Sequence, residues 1–441
     1  MQSYLKIVNL NIPMTVNSNK LLISYKNALE IIAIAADSHK NKSIDSISLL
    51  ESNGRILANG IKSPINVPSF NNSAMDGFAV QSEVVNKAVA KDGFIKLKVT
   101  GMIQAGDKSE TQADKENYMA WEIMTGAPVP DVFDAVIQIE NVKIIDSNGV
   151  KFIEVAENVF KGRNIRKLGT DYKIDQLVAN KHSKIQSQHI MALATVGINE
   201  VKVLPKLDVA ILSTGNELFN VESGKLFSGT IYNSNQPYLQ SYCKELYCNP
   251  VFTGMCKDNV EAFDKLVDCA LLKNVKIIFS TGAVSMGKYD FIPQALLNRG
   301  ATIHFHKSKI RPGKPILFAE LPNGTLYFGL PGNPIAAASG MRFFVAPFIA
   351  NILGLRPEKY INAKLLNSIK SKLGFRTFAK AFASIDESGQ LQVEMLKDQG
   401  SYQSRSFAQS NCWLIIPEQR DEILKGELVE IAPMIPNQII F

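Results

Sequence analysis

Cysteine is scarce in this chain of 441 residues: there are five, an odd number, and no two form a C-x-x-C pair. That argues against a disulfide framework or a structural zinc site and points to a reducing compartment, expected to be the cytoplasm. Histidine is as rare, also five. His304 and His306 alternate along an expected strand with no carboxylate or cysteine at ligand spacing, so they read as structural. The Rossmann G-x-G-x-x-G and the Walker lysine pattern are missing, which counts against a standard dinucleotide site or P-loop. No G-x-S-x-G elbow or metalloprotease helix occurs either. The longest apolar run, PIAAASGMRFFVAPFIANILGL, contains Arg342, Pro334 and Pro347, so it reads as a buried helix pair rather than a membrane span. The first twenty residues lack a charged stretch followed by an apolar core, and no secretory leader is expected. An excess of one charge sign is nearly absent too. Lys plus Arg is 48 against 41 for Asp plus Glu. A net +7 favours small anions but does not argue for nucleic acid.

What is present is ordinary globular material. Hydrophobic residues make up 46% and charged residues 20%, enough for several cores and about three domains. In residues 24–38, Ala28, Leu29, Ile32 and Ala35 recur at helical spacing behind Ser24, an expected N-cap. Between about 55 and 160, β-branched pieces (FIKLKVTG, DAVIQIENVKII, VKFIEVAE) alternate with turns, which predicts a β-rich region. A helix is expected over 183–196, opened by a Ser183–Gln186 capping box and stopped at Gly197. From 207 the pattern becomes strand, loop, helix. LDVAIL, VKIIF and LYFGL are continuous apolar runs. Between the first two, Val260, Phe263, Leu266, Val267, Ala270 and Leu271 share one helix face. Strands buried on both faces with helices between them predict a doubly wound parallel sheet. After about 355 short strands and turns return, consistent with a small β-domain.

Open parallel sheets bind ligands at the carboxyl ends of their strands, and glycine-rich loops stand at those ends here. They are Ser213-Thr214-Gly215-Asn216-Glu217, then Ser280 to Gly287 with Gly282 and Ser285, then Gly329-Leu330-Pro331-Gly332-Asn333-Pro334. In the last, Asn333 is the expected N-cap and Pro334 the first helical residue. Free backbone N–H groups there make an anion site. Arg311-Pro312-Gly313-Lys314-Pro315 adds two cations on a stiff frame, with Lys307 and Lys309 just upstream. Four acids accompany these loops: Asp76, Glu217, Asp258 and Asp290. Carboxylates near a phosphate site usually mean magnesium. Each has a structural reading beside the functional one. Asp76 shapes a turn before Gly77, Asp258 with Glu261 makes a capping box, and Asp290 caps the following helix. Glu217 alone has no obvious capping task.

Taken together these motifs resemble the molybdopterin molybdenumtransferases, the molybdenum-insertion enzymes of molybdenum-cofactor biosynthesis, a family that includes the C-terminal domain of gephyrin. The matching segments follow family order: Pro64 to Pro68 with Asn72 to Gly77, Gly106-Asp107, Ile123 to Pro130, and Gly162 to Arg166. They continue with Ser213 to Leu218, Val284 to Gly287 with Asp290, Arg311 to Pro315, and Gly329 to Pro334. The resemblance implies a multidomain α/β plus β chain. An adenylyltransferase-like α/β domain would span 205–354 and a C-terminal β-barrel 355–441. A β-rich insert, 51–159, would lie inside a split helical domain, 1–50 with 160–204. It also implies a homodimer that joins adenylylated molybdopterin and molybdate, with magnesium, and releases AMP. Asp76 and Thr125 would reach the site from the insert of the partner subunit. Glu217, Asp258 and Asp290 would stand near the metal and the phosphoanhydride. Arg311 and Lys314 would hold the oxyanion, with Ser404 and Lys380 as further oxyanion contacts in the barrel. A molybdopterin adenylyltransferase and a molybdopterin synthase are the partners implied; no nucleic acid or membrane is expected.

Three positions depart from the family pattern: Ala283 where Gly-Gly is frequent, Arg311 where lysine is usual, and Ala336 where a serine is frequent. Two other functions stand beside the first. A molybdopterin adenylyltransferase resembles the α/β domain alone, and a non-catalytic scaffold of the gephyrin kind would not need the acids and the cationic turn.

Overall fold

The computed structural model describes residues 22–40, 43–108, 118–284 and 290–438. They divide into two compact units, one from Ile44 to Leu204, the other from Pro205 onward together with the residues before 44.

The 44–204 unit is built on a six-stranded mixed sheet. Its order is Ala135–Gln138, Gly77–Val80, Met119–Ile123, Ile95–Ile103, Val150–Val155, Lys143–Ser147. Alternate residues fill a core on each face. Phe78, Val80, Leu97 and Ile153 lie on one, and Ala79, Ile103, Trp121 and Ile123 on the other. Gly77 is needed for strand approach: a Cβ there would sit 1.9 Å from the Ile137 carbonyl oxygen. Asp45–Ser48 pairs with Glu200–Val203 at the two ends of the unit. The helix expected over 183–196 is shorter, Ser187–Thr195, and its capping box is Gln186 with His189. Ser183 and Ile185 are held elsewhere. Leu57 N donates to Ser183 O (3.0 Å) and Ile185 N to Arg55 O (2.8 Å), so this stretch is committed to a neighbouring strand-like segment.

The other unit holds a six-stranded sheet ordered Cys248–Cys256, Leu207–Thr214, Ile277–Thr281, Leu326–Leu330, Leu317–Glu320, Thr302–His306. The first four strands are parallel, as expected. The last two are antiparallel to their neighbours, so the sheet is mixed at one edge. The cause is a hairpin turn at Pro322-Asn323-Gly324, with Gly324 at φ +81°. Helix Val260–Leu271 buries Phe263, Val267 and Ala270 and leaves Val260 exposed.

The expected helix pair is one helix, Pro334–Ile352, with 83% of its most apolar window buried in the unit. A wide π turn at Met341–Val345 precedes Pro347, which has no N–H to donate, and the helix runs on through the proline. Its Arg342 is buried. The guanidinium donates to Pro433 O at 2.9 Å and grips Glu358 at 2.8 and 2.7 Å. Helix Tyr25–Ser38 is capped by Ser24, which accepts from Asn27 N at 3.1 Å. Within this unit Tyr25 Oη donates to Phe343 O (3.1 Å), and its ring meets Phe344 and Phe378 edge-on.

The C-terminal strands close a five-stranded barrel. Its order is Arg376–Ile385, Leu391–Met395, Ile361–Leu365, Leu428–Pro433, Cys412–Ile416, then back to the first. A short strand from the α/β part, Ile310–Arg311, lies parallel to Arg376 and Thr377 on that sheet.

Candidate functional site

The three glycine loops meet at the carboxyl edge of the mixed sheet. Gly282 is the contact point. Its φ is +95°, and a Cβ would lie 2.3 Å from Thr214 O. Its N–H donates to Leu330 O at 3.2 Å, and Gly332 approaches its Cα, a Cβ on Gly332 being 3.7 Å away. Only backbone fits between these loops, so their N–H groups crowd one small volume. Beside them opens a cavity of about 590 Å³, lined by Thr214, Gly215, Glu217, Asp258, Gly282, Asp290, Pro331, Gly332, Asn333 and Ser404 among others. That volume suits a nucleotide-sized ligand.

Asp258 is not a helix cap. Asn259 takes that place, its side chain accepting from Ala262 N at 2.8 Å. Asp258 is turned to the first loop. Its Oδ2 accepts from Asn216 N (3.4 Å), while its own N–H donates to Asn216 Oδ1 (3.2 Å). Asp258 Oδ1 is buried with no hydrogen-bond partner. The helix Ile292–Asn298 begins behind Phe291, two residues from Asp290, which lines the cavity. The Glu217 carboxylate leans over the loop glycine, 2.8 Å from where a Cβ on Gly215 would be. Among the described residues no three carboxylates, imidazoles or thiols converge as a ready metal cage. A hard cation would take one or two of these carboxylates and complete its shell from ligand oxygens.

Asn333 opens helix Pro334–Ile352 as expected, but its side chain makes no cap bond; Nδ2 donates to Ser401 Oγ at 3.1 Å. Ser213 is fully buried, bonded to Thr281 Oγ1 at 3.3 Å, and does not line the cavity. Ser285 and Gly287 lie outside the described residues. Arg311 and Lys314 are exposed and lie off the lining, which includes the adjacent Pro315. Lys314 O accepts from Ser308 N and Ile316 N, both 3.0 Å, which tightens the turn. Lys307 has its pKa lowered, first by burial and then by Lys314 nearby.

Lys380 cannot serve as an oxyanion contact. Its ammonium is buried and donates to Asp398 O (2.6 Å), Gly400 O (3.2 Å) and Gln403 O (3.1 Å). All three of its donors are used in holding the barrel loop that carries Ser401 and Ser404. His304 and His306 are structural. One stacks on Phe318 with Glu320 at 3.5 Å across the antiparallel edge; the other lies 2.6 Å from Val284 O.

Asp76 and Thr125 meet in the other unit. Thr125 N donates to Asp76 Oδ1 at 2.6 Å and Thr125 Oγ1 at 2.8 Å. These bonds, the amide first, hold the exposed carboxyl below the usual aspartate range. Thr125→Val therefore raises the Asp76 pKa toward that range, as a carboxyl NMR titration of the two proteins would show. The bond favours the folded state above the unfolded aspartate pKa and fades as pH falls through the folded one.

Ala283 sits at φ +48°, the left-handed region where a Cβ is disfavoured. Its place in the family's Gly-Gly position thus carries a local strain of about 1 kcal/mol. Ala283→Gly should raise stability by up to about 1 kcal/mol in denaturant titration, less the extra entropy glycine loses on folding.

The cavity also uses residues to which the sequence motifs gave no role: Tyr232, Asn233, Asn235 and Tyr402. Asn233 and Asn235 are buried polar residues, and Asn235 Nδ2 donates to Gly332 O at 2.7 Å. The signal was present in Tyr232-Asn233-Ser234-Asn235, a polar run before an amphipathic helix. A second cavity, about 550 Å³, opens at the amino ends of the same strands, near Leu207, Ile277 and Leu326, away from the glycine loops.

Comparison with known proteins covers nearly the whole chain. Residues 23–197 match the MoeA N-terminal region (domain I and II), 210–351 a probable molybdopterin binding domain, and 362–434 the MoeA C-terminal region (domain IV). A molybdopterin molybdenumtransferase of Haemophilus influenzae is 35% identical over 88% of this chain and 93% of that protein. One of Synechococcus elongatus is 32% identical over 94% of this chain and 100% of that protein. A crystal structure of a molybdopterin biosynthesis MoeA protein from Pyrococcus horikoshii is 29% identical with TM-score 0.78, covering 94% of this chain and 99% of that one.

Proposed function

The chain belongs to the molybdopterin molybdenumtransferase family, and from that membership we propose that the cavity at the carboxyl edge of the mixed sheet inserts molybdenum from molybdate into adenylylated molybdopterin and releases AMP. One observation carries this assignment. Three backbone-lined loops converge on a cavity whose wall holds a buried, unpartnered carboxylate oxygen, that of Asp258. Loop N–H groups and the helix start at Asn333 bind the phosphates of the substrate. Lys314 and Arg311, with Lys307 behind them, hold molybdate, a tetrahedral dianion, at the cavity's edge.

Magnesium fits the donor set. Asp258 Oδ1 has its acceptor capacity open and Glu217 and Asp290 share the same cavity, all oxygen donors suited to a hard ion. When bound there, magnesium supplies positive charge to the phosphoanhydride and makes AMP a better leaving group. The chain's own groups orient the pterin nucleotide against the loops and keep the oxyanion in place.

The reading includes a cytoplasmic homodimer. All five cysteines are unpaired, which suits a reducing compartment. Asp76 and Thr125 would come to the cavity from the partner subunit. A molybdopterin adenylyltransferase would supply the substrate, and a molybdopterin synthase the pterin before it.

The test is AMP release from adenylylated molybdopterin with magnesium, with and without molybdate. Molybdate-dependent release is expected; consumption of ATP in place of the adenylylated pterin would favour the adenylyltransferase reading. Asp76→Ala and Glu217→Ala should each be nearly inactive. Mixed after subunit exchange, they should recover about a quarter of parental activity, because half the dimers then hold one intact site. No recovery on mixing rules out a site shared between subunits.

A further inference from the structure

A row of aromatic rings ends at the cavity. Leu218–Phe219 and Ile231–Tyr232 form a short parallel ribbon, with Phe219 opposite Tyr232. Ile231 N donates to Glu217 O at 2.9 Å and Asn233 N to Phe219 O at 2.9 Å, so the ribbon is tied directly to the acidic loop. The Phe227 ring packs edge-on against Phe219 at 5.7 Å, and Phe219 lies tilted against Tyr232 at 6.4 Å. Tyr232 Oη donates to Gly224 O at 2.8 Å, which fixes the far end of the ring. With both edges held, Tyr232 still leaves 40% of its surface exposed, and it lines the cavity. Tyr402, also on the lining, is 70% exposed. No ring or hydrogen-bond partner holds it among the described residues. Tyr232 is therefore the pre-ordered aromatic surface of this site.

Resting on the reading above, we propose that Tyr232 is a specificity residue whose ring stacks on the planar heterocycle of the pterin-nucleotide substrate. The polar wall has no use for a fixed, half-exposed aromatic ring, whereas a flat heterocycle does. A bound base would extend the row Phe227, Phe219, Tyr232 by one more π-surface. The distance along the chain suits this division. Asn235, three residues on from Tyr232, contacts Gly332 of the phosphate-binding loops, so base and phosphate ends of one ligand fall on one cavity. The substrate carries two heterocycles, pterin and adenine, and either presents the same flat chemistry to the ring.

Equilibrium binding of three probes separates the outcomes: AMP, a pterin monophosphate, and ribose 5-phosphate, which lacks a base. Parent, Tyr232→Leu and Tyr232→Phe are compared. Tyr232→Leu is expected to weaken one base-bearing probe by about ten-fold, while ribose 5-phosphate stays within about two-fold. Tyr232→Phe, which keeps the ring and loses only the Gly224 anchor, should restore most of that affinity. The probe that responds identifies the stacked base. Equal binding of both base-bearing probes to parent and Tyr232→Leu overturns the inference, as does an equal loss for ribose 5-phosphate. If the parent binds none of the three, the placement of the active site itself fails, and the stacking role with it.

Discussion

Asp258→Asn lowers molybdate-dependent AMP release by about 100-fold or more, with little change in melting temperature. The substitution is nearly isosteric. An amide oxygen at the Oδ2 position still accepts from Asn216 N, and the backbone bond from Asp258 N to Asn216 Oδ1 is untouched. What is removed is the negative charge, and with it an oxygen that is buried, unpartnered and on the wall of the cavity. Raising magnesium concentration should recover part of the rate, since a weakened ligand set lowers metal affinity first. A rate within about three-fold of the parent at every magnesium concentration would falsify the assignment of Asp258 to the metal.

Lys380→Met should destabilise the barrel-bearing unit by about 3–5 kcal/mol and lower its melting temperature by roughly 10 °C. Methionine replaces the lysine stem in volume but gives no donor. Three carbonyls, those of Asp398, Gly400 and Gln403, are then left without their buried partner. Burial draws the pKa of Lys380 down, with Asp398 acting the other way. An oxyanion-binding lysine would behave otherwise: the melting temperature would hold and the molybdate KM would rise. A stable Lys380→Met protein with a raised molybdate KM would restore the role that the family resemblance implied.

The sequence made the order of the parts legible because each rests on a strong local signal. The Ser24 cap, the apolar runs before the three glycine loops and the Asn333-Pro334 helix start all recur in the structure where they were expected. Local signals failed where two residues competed for one task. Asp258 and Asn259 can both cap a helix; the chain uses Asn259, which releases Asp258 toward the loop of Asn216. Tertiary demand overrode pattern elsewhere. Ser183 looked like a helix start, but its carbonyl is taken by Leu57. LYFGL is parallel to Ile277–Thr281 as expected, but the Asn323-Gly324 turn before it pairs it with Leu317–Glu320 as a hairpin and makes one sheet edge antiparallel. Lys380 shows the limit most clearly. Motif position says only that a cation is needed, and not whether it faces a ligand or three backbone carbonyls. Ring-on-ring contacts such as Phe219 with Tyr232 are equally invisible along the chain, since the residues between them form the excursion that brings them together.

The Ile310–Arg311 strand has a practical bearing on dissecting this protein. That strand leads into the cationic turn, yet its ladder partners, Arg376 and Thr377, belong to the barrel. Arg376 N bonds Lys309 O at 3.0 Å, and Ile335 N at the helix start bonds Ser401 O at 2.9 Å. A truncation that ends near Leu353, cut to yield the sheet and its helices as a minimal module, would strip both attachments. The fragment could retain its fold and its glycine loops while the arginine and lysine lost their fixed spacing. Expression boundaries should therefore keep the residues after Leu353 in place wherever anion affinity is the property to be measured.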